Sequence, residues 1–548
     1  MRRVLCRGAL AALVAVMPVA AATAQGTASV APSDLVYRDV DRLVAIGLLD
    51  SVIVGQRPYS RRELARIAAA ARDQLARGSR QGEAIPHDAD AIVARLVARF
   101  VPDSTTMGGA TPVVSLLDGA SVGGTATDAV RRGFVAPNTA RLEATIDPLA
   151  SPRRLGQPSP SGQSATLEIA QRVEPSSWFA VHARERIELD RRDGSLVHGG
   201  HDELLQAGAR LRFANLAIDA GREQFAWSQG ASDGLFIAAD APALDQVSLS
   251  GDHPFLLPGW SKLLGPTQAT LLLADLGPSA VRSHSKLLAY KVSVHPRSSL
   301  ELGATFLNHF GGSGGRSSSL GSHLIDFLPF VDIFRRHNYT DSTRALDVES
   351  DKLLGVDGRW RIARLGGLLV AGEMLIDDFD VHRLPTMFGW DGSQTFAVTL
   401  PSVARSPLSL RVAATHMGVR TYTHATLTNG ITTRGRLIGD ELGPDAKAFD
   451  LGATWNGSGR TRFALDGRTA LYSLSDYTSL DRNGTLLLQR KGRVVNELRD
   501  QLLASMEVSE TERISLVVRA GGERIRNADF VPGTRHSYLV DVSLRLAR

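Results

Sequence analysis

The sequence predicts a transmembrane β-barrel carrying a short helical head, and three observations support that prediction. An export signal opens the chain, and a stretch with helical periodicity follows it. From about residue 111 the hydrophobic period falls from 3.6 to 2, with no later run of about 18 apolar residues to make a membrane helix. The expected fold class is mainly β, an antiparallel barrel in the bacterial outer membrane over residues 111–548. At ~24 residues for each strand and its share of loop, about 16–18 strands are expected. Residues 25–110 should form a helical bundle at the periplasmic end, after a signal peptide over 1–24.

Arg2, Arg3 and Arg7 form the positive start of the signal, Ala9 to Val16 its apolar run, and Ala22-Thr23-Ala24 an A-x-A site before Gln25. Small residues, Pro18 and the terminal position favour a signal over a membrane anchor. Cys6, the single cysteine, falls inside it, so the exported chain should lack thiols, disulfides and cysteine-linked lipid. The 62 basic and 57 acidic residues give +5, and loss of the three signal arginines lowers this to +2. That balance argues for no nucleic-acid partner, whereas arginines at alternating strand positions suit a polar lumen.

In the head, Ser33 or Asp34 can cap a helix whose apolar side is Val36, Tyr37, Val40, Leu43 and Val44, ending near Gly47. Ser60-Arg61-Arg62-Glu63 matches a capping box, and Leu64, Ile67, Ala68, Ala71 and Leu75 follow at helical spacing. A third helix runs from about Asp88 through Ile92, Leu96 and Phe100 to Pro102. So small a bundle should be marginal unless it docks on something larger.

The barrel segments alternate faces. Leu205, Ala207, Ala209, Leu211 and Phe213 oppose Gln206, Gly208, Arg210 and Arg212, and after a turn near Asn215 come Leu216, Ile218 and Ala220 against Ala217 and Asp219. Leu288 to Val294, Leu300 to Phe306 and Tyr538 to Leu546 repeat the pattern. A charge on the lipid face at mid-bilayer costs roughly 2–4 kcal/mol, so Arg210, Arg212, Asp541 and Arg545 should face the lumen. Gly/Pro/Ser-rich insertions at Pro148 to Ser164, Asp190 to Glu203 and Asn308 to His323 fit long extracellular loops.

Several segments, taken in order, resemble the Wzi family of outer-membrane capsule-assembly proteins. In the head these are Asp39 to Leu49 and Arg57-Pro58-Tyr59-Ser60-Arg61-Arg62-Glu63-Leu64. In the barrel they are Gly221-Arg222-Glu223-Gln224-Phe225-Ala226-Trp227, Leu235 to Pro242, and Asp252 to Gly259. Gly372-Glu373 with Asp377-Asp378, then Tyr422-Thr423-His424, Gly435, Gly439 and Leu442-Gly443-Pro444-Asp445 complete the likeness, which runs from about 33 to 548. Ser228 departs from it, standing where the family often has glycine. The resemblance implies an 18-stranded barrel obstructed at its periplasmic end by the head, and a lectin-like, non-catalytic role in attaching polysaccharide to the cell surface.

The candidate polysaccharide-binding residues are Arg222, Trp227, His309, Glu373, Asp377, Tyr422 and His424. Read from the residues alone, one of Arg222 and Glu223 faces the lumen, and Trp227 fits either an interfacial girdle or packing role or a stack on a sugar ring. Tyr422 and His424 share a face if their segment is a strand, and carry the same ambiguity. Glu373 and Asp377 share the lumen face ~13 Å apart along one strand, too far for a glycosidase pair without a bulge or a cross-strand partner. Gly311-Gly312-Ser313-Gly314-Gly315 has the form of a nucleophile elbow but no helix to follow it. His198-Gly199-Gly200-His201 is a thin metal signal, the acidic residues Asp190, Asp193, Asp202 and Glu203 lack an EF-hand order, and no phosphate or dinucleotide fingerprint is found. No metal and no cofactor is expected.

The first expectation is thus a non-enzymatic outer-membrane holder of capsular or extracellular polysaccharide, with outer-membrane lipid and the polysaccharide export machinery as further partners. Many weak contacts along one polymer would supply avidity. The alternative is a porin for sugars or small anions, which needs an open channel. An outer-membrane hydrolase would need a Ser/His/acid cluster at one height of the barrel.

Overall fold

The computed structural model describes residues 28–81, 86–105, 112–128, 130–135, 142–149, 162–192, 195–198, 203–315, 350–377, 392–419, 421–423, 430–457, 459–473, 475–480, 486–490, 495–511 and 513–547. The signal with Cys6, and Asp193, His201, Asp202, Asp378 and His424, lie outside these residues.

Three helices form the head, and their apolar faces meet one another. Helix α1 spans Val36–Ala45, and its start is capped by Asp34, whose Oδ1 accepts the Val36 amide at 2.9 Å. It stops at Gly47, in the left-handed region at φ +81°. Helix α2, Arg61–Gln81, begins where Ser60 Oγ accepts the Glu63 amide at 3.1 Å, one half of a capping box. Glu63 turns instead to Arg66 at 2.7 Å. Helix α3, Asp88–Thr105, runs past Pro102, so the proline does not end the helix where the sequence suggests. Val40, Leu43, Leu64, Ile67, Leu96 and Phe100 make the bundle's core.

Eighteen antiparallel strands form the wall. They begin with β1 (Val113–Thr127), β2 (Gly162–Ser176), β3 (Phe179–Arg192), β4 (Glu203–Phe213), β5 (Leu216–Glu223) and β6 (Leu244–Gly251). Next come β7 (Pro266–Asp275), β8 (Lys286–Arg297), β9 (Leu300–Phe310), β10 (Ser350–Ile362), β11 (Leu368–Asp377) and β12 (Gly392–Leu400). Last are β13 (Leu408–Met417), β14 (Ala446–Asn456), β15 (Thr461–Tyr472), β16 (Glu497–Ser509), β17 (Ile514–Arg526) and β18 (Thr534–Ala547). Each pairs with its sequence neighbour, and β18 returns to β1 with Leu539 opposite Thr127. Closure leaves no unpaired sheet edge.

Alternation sorts the side chains as the sequence suggests. Val247, Leu249, Leu271, Leu273, Val292 and Leu302 lie exposed on the outside, the surface of a barrel that crosses a bilayer with strands. Inward and buried are Arg210, Asp219, Lys291, Glu301, Asp357 and Glu373. Arg210 pairs with Asp219 and Asp252, each at 3.0 Å. Arg212 sits at the end of β4 and donates to the Ser177 and Ala214 carbonyls. Asp541 and Arg545 occupy the inward row of β18, where Asp541 accepts from Thr125 at 3.0 Å.

Tight turns, the C-terminal strand end and the helices share one end of the cylinder, the head end; longer connections cluster at the other, the loop end. Half-exposed Trp178, Phe213, Trp360, Trp455 and Phe463 ring the head end. Of the insertions expected as loops, residues 150–161, 193–194, 199–202 and 316–323 lie outside the described residues, and parts of the rest are strand at the loop end. Gly162 to Ser164, Asp190 to Arg192 and Asn308 to Phe310 are strand, held by partners such as Asp190 opposite Ser164 and Asn308 opposite Leu288. These residues lie above the apolar belt, where the ladder continues while the side chains turn polar.

Candidate functional site

Among the described residues, parts of three loop-end connections fold into the barrel rather than away from it. Residues 224–243, between β5 and β6, form the innermost. The segment 430–445 packs on them, with the Ala238 amide donating to the Ile438 carbonyl at 2.9 Å. The paired strands 132–135 and 142–146 lie against both, through the Thr145 amide to the Gly435 carbonyl at 2.9 Å and the Gly430 amide to Glu143 at 2.6 Å. Phe134, Ile146, Phe225, Trp227, Phe236, Ile438 and Leu442 make one apolar core in this interior, bounded by wall residues such as Leu272 and Leu375. Gly355 on β10 allows the approach, since a Cβ there would lie 2.2 Å from the Phe236 ring.

Glu373, buried on β11, anchors the innermost connection. Its carboxylate accepts from Ser228 Oγ at 2.6 Å, the Gln229 amide at 2.9 Å and the Leu235 amide at 3.0 Å. Ser228, the departure from the family pattern, thus supplies one of the three bonds. Trp227 is 1% exposed, edge-on to Phe225 with ring centroids 6.4 Å apart. It belongs to the interior packing, neither in the girdle nor open to a sugar. Tyr422 is 0% exposed, and its hydroxyl accepts from the Asp440 amide at 2.9 Å while donating to the Leu235 carbonyl at 2.7 Å. Burial raises that phenol well above its ordinary range. Tyr422 and Glu373 therefore grip the same short stretch, 228–235, from two sides.

Other candidates lie elsewhere. His309, buried on β9, meets Ser285 Oγ at 2.9 Å, and Asp377 is buried at the loop end of β11. Arg222 faces outward at the barrel rim, paired with Asp245 at 2.6 Å, while Glu223 takes the lumen side and meets His182 at 2.8 Å. Ser313, of the glycine-rich loop, shares a 3.0 Å hydrogen bond with Ser283 Oγ. The sequence reading missed the row that Arg222 joins. Asp245 stands opposite Arg222, Asp275 opposite Asp245 and Lys286 opposite Asp275, with Lys286 to Asp275 at 2.7 Å. Only cross-strand register brings these four together, so no local motif signals them.

Charge is concentrated between the inward segments. Asp233, Asp240 and Asp440 gather near Arg436 and Arg468. Burial, with the Asp240 carboxylate beside it, pushes Asp233 up to about 7. Asp240 and Asp440 are raised for the same first reason.

From the head end, the 46–60 segment reaches the same place. Arg57 and Ala226 exchange both backbone bonds, at 3.0 and 3.1 Å. Glu301 on β9 accepts the Val54 amide at 2.9 Å and the Gly55 amide at 2.8 Å, and also Gln229 Nε2 at 2.9 Å. Gln229 donates as well to Asp357 at 2.7 Å, which Lys291 holds at 2.5 Å. Head and inward loop thus meet on one buried carboxylate inside the barrel.

Known proteins share this fold. Residues 150–538 match the family described as capsule assembly protein Wzi. Among solved structures, Wzi of Escherichia coli, described as an outer-membrane protein involved in group 1 capsule assembly and a carbohydrate-binding β-barrel, superposes with a TM-score of 0.64 at 14% identity. That superposition covers 95% of this chain and 99% of the other. An uncharacterized 55.8 kDa protein in the cps region of Klebsiella pneumoniae is 24% identical over 238 residues, 43% of this chain and 44% of the relative's own length.

Proposed function

The chain belongs to the Wzi family of capsule-assembly proteins in the outer membrane, and from that we propose that it holds exported polysaccharide at the cell surface without transforming it. The head end faces the periplasm, as tight turns and chain termini do in such barrels, and the loop end faces outward to the polymer. The observation that supports holding over conducting is the joining of head and inward loops. Head and inward loops are hydrogen-bonded to each other at Arg57–Ala226 and through Glu301, which supports an obstructed lumen. Contact is then left to the outer surface, where the charged row of Arg222, Asp245, Asp275 and Lys286 and the loops above it present donors and acceptors to repeating sugars. Glu373, Trp227 and Tyr422 serve this surface indirectly, by fixing the loops beneath it.

The test is the partition of polysaccharide between cells and medium in a strain lacking the protein. Unchanged synthesis with most polymer shed into the medium is the expected outcome. Full retention on the cells would reject the reading and bring forward the alternative, a porin for sugars or small anions.

A further inference from the structure

At the head end a cavity of about 600 Å³ lies between residues 44–52, which leave α1, and the ends of strands β8 to β11. Its charged lining is lopsided. Four guanidinium groups, Arg297, Arg359, Arg361 and Arg364, face two carboxylates, Asp50 and Glu301, with His295 beside them. Glu301 is already engaged by two backbone amides and Gln229. Arg359 is only 7% exposed, approaches Glu301 no nearer than 3.7 Å and makes no hydrogen bond among the described residues. Arg361 is fixed to the cavity wall through the Ala45 and Ile46 carbonyls at 3.1 and 3.0 Å. Arg297 and Arg364, exposed at the mouth, have no ion pair among the described residues.

Several arginines elsewhere at the same end are closely paired. Arg95 meets Asp39 at 2.6 Å and Arg99 meets Asp34 at 2.8 Å. In a cavity of about 180 Å³ on the other side of the barrel, lined by strands β1 to β3 and β16 to β18, Arg172 meets Asp118 at 3.0 Å and Arg184 meets Glu168 at 2.5 Å. A guanidinium out of bulk water and without a close acceptor is costly, and its planar fork matches a carboxylate or phosphate. The volume is in the range that encloses a small ligand, and Val44, Leu49 and Val52 offer it an apolar wall.

We propose that this cavity is a binding site for an anionic sugar, a sugar unit carrying a carboxylate or a phosphate, on the face of the barrel opposite to the polysaccharide-holding surface. The inference goes beyond the surface-attachment reading and does not depend on it, because binding is measured on purified protein.

Isothermal titration of the full chain in detergent, at fixed ionic strength, tests it with glucuronate, glucose 1-phosphate and glucose. Saturable one-site binding of a charged sugar, and none of glucose, is expected; which charged sugar binds identifies the group as carboxylate or phosphate. Changing both mouth residues, Arg297→Gln with Arg364→Gln, should weaken binding about tenfold or more, since each loses a charge-assisted contact. Neither residue holds the fold, and retention of the heat-modifiable gel shift confirms the barrel. Arg359→Lys, which keeps the charge but loses the fork, should weaken binding as well. No saturable binding of either charged sugar, or binding that the double change leaves unaltered, would overturn the site. Equal binding of inorganic phosphate or glycerol 3-phosphate would overturn the sugar assignment and identify a free phosphate or a lipid headgroup.

Discussion

Glu373 shows how one carboxylate can define the interior. Among the described residues its oxygens meet three donors, so Glu373→Gln turns an amide NH₂ toward one of them and should destabilise the 224–243 segment by about 1–3 kcal/mol. Faster protease cleavage within that segment, with the barrel's gel shift unchanged, would show it; equal cleavage rates would count against the anchor. Tyr422→Phe removes a hydroxyl that satisfies a donor and an acceptor at once, and should cost a similar amount, read as faster amide exchange at Asp440. Gly439→Ala should be worse, because the new Cβ would stand 2.3 Å from the Tyr422 ring. The sequence marked Trp227, Glu373, Tyr422 and Gly439 as a set, but could not say that they face one another. Local patterning gives Glu373 its inward face by alternation; it carries no information that the Leu235 amide and carbonyl, from a connection more than a hundred residues away, will serve as partners of Glu373 and Tyr422.

Among elements, Asp233 in the loops and Asp34 in the head should respond to acid in opposite senses. Asp233 is raised from an ordinary 3.8 to about 7, so between these values the folded loops bind more protons than the unfolded chain, and stability falls as pH rises through that window. The inward segments should therefore resist protease better at pH 5 than at pH 8, and Asp233→Asn should flatten that difference; a flat profile for the parent protein would refute it. For Asp34, burial is outweighed by the Arg99 guanidinium, which holds the carboxyl well below its usual range. Its stabilisation is present above the unfolded value and is lost only as pH falls below it. The helices and the alternating strands were legible because each satisfies a local rule: Asp34 and Ser60 as caps, Gly47 as a stop, Arg210 and Lys291 as inward charges. The limits of the strands were less legible. Above the apolar belt a paired residue such as Asn308 reads like a loop residue, and only its partner Leu288 tells them apart.

For the whole molecule, the obstructed lumen predicts electrical silence. In planar bilayers the intact protein should pass almost no current, and removing the head alone should leave most of the resistance in place, since the loop core around Trp227 and Phe236 still fills the lumen. A large steady conductance from the headless form would place the whole obstruction in the head. Arg57 bonded to Ala226, and Glu301 shared by Val54, Gly55 and Gln229, also bear on how such an object is made. The seam sets Thr127 opposite Leu539, so the cylinder cannot be sealed until the final strand has been supplied. Until then β1 and its growing neighbours keep open edges, and contacts of such long sequence separation form slowly. We expect the contents to be in place before the wall shuts around them. In assembly the stopper therefore acts as a mandrel, and substitutions that loosen Glu301 or Glu373 should lower the yield of sealed barrels before they alter the finished one.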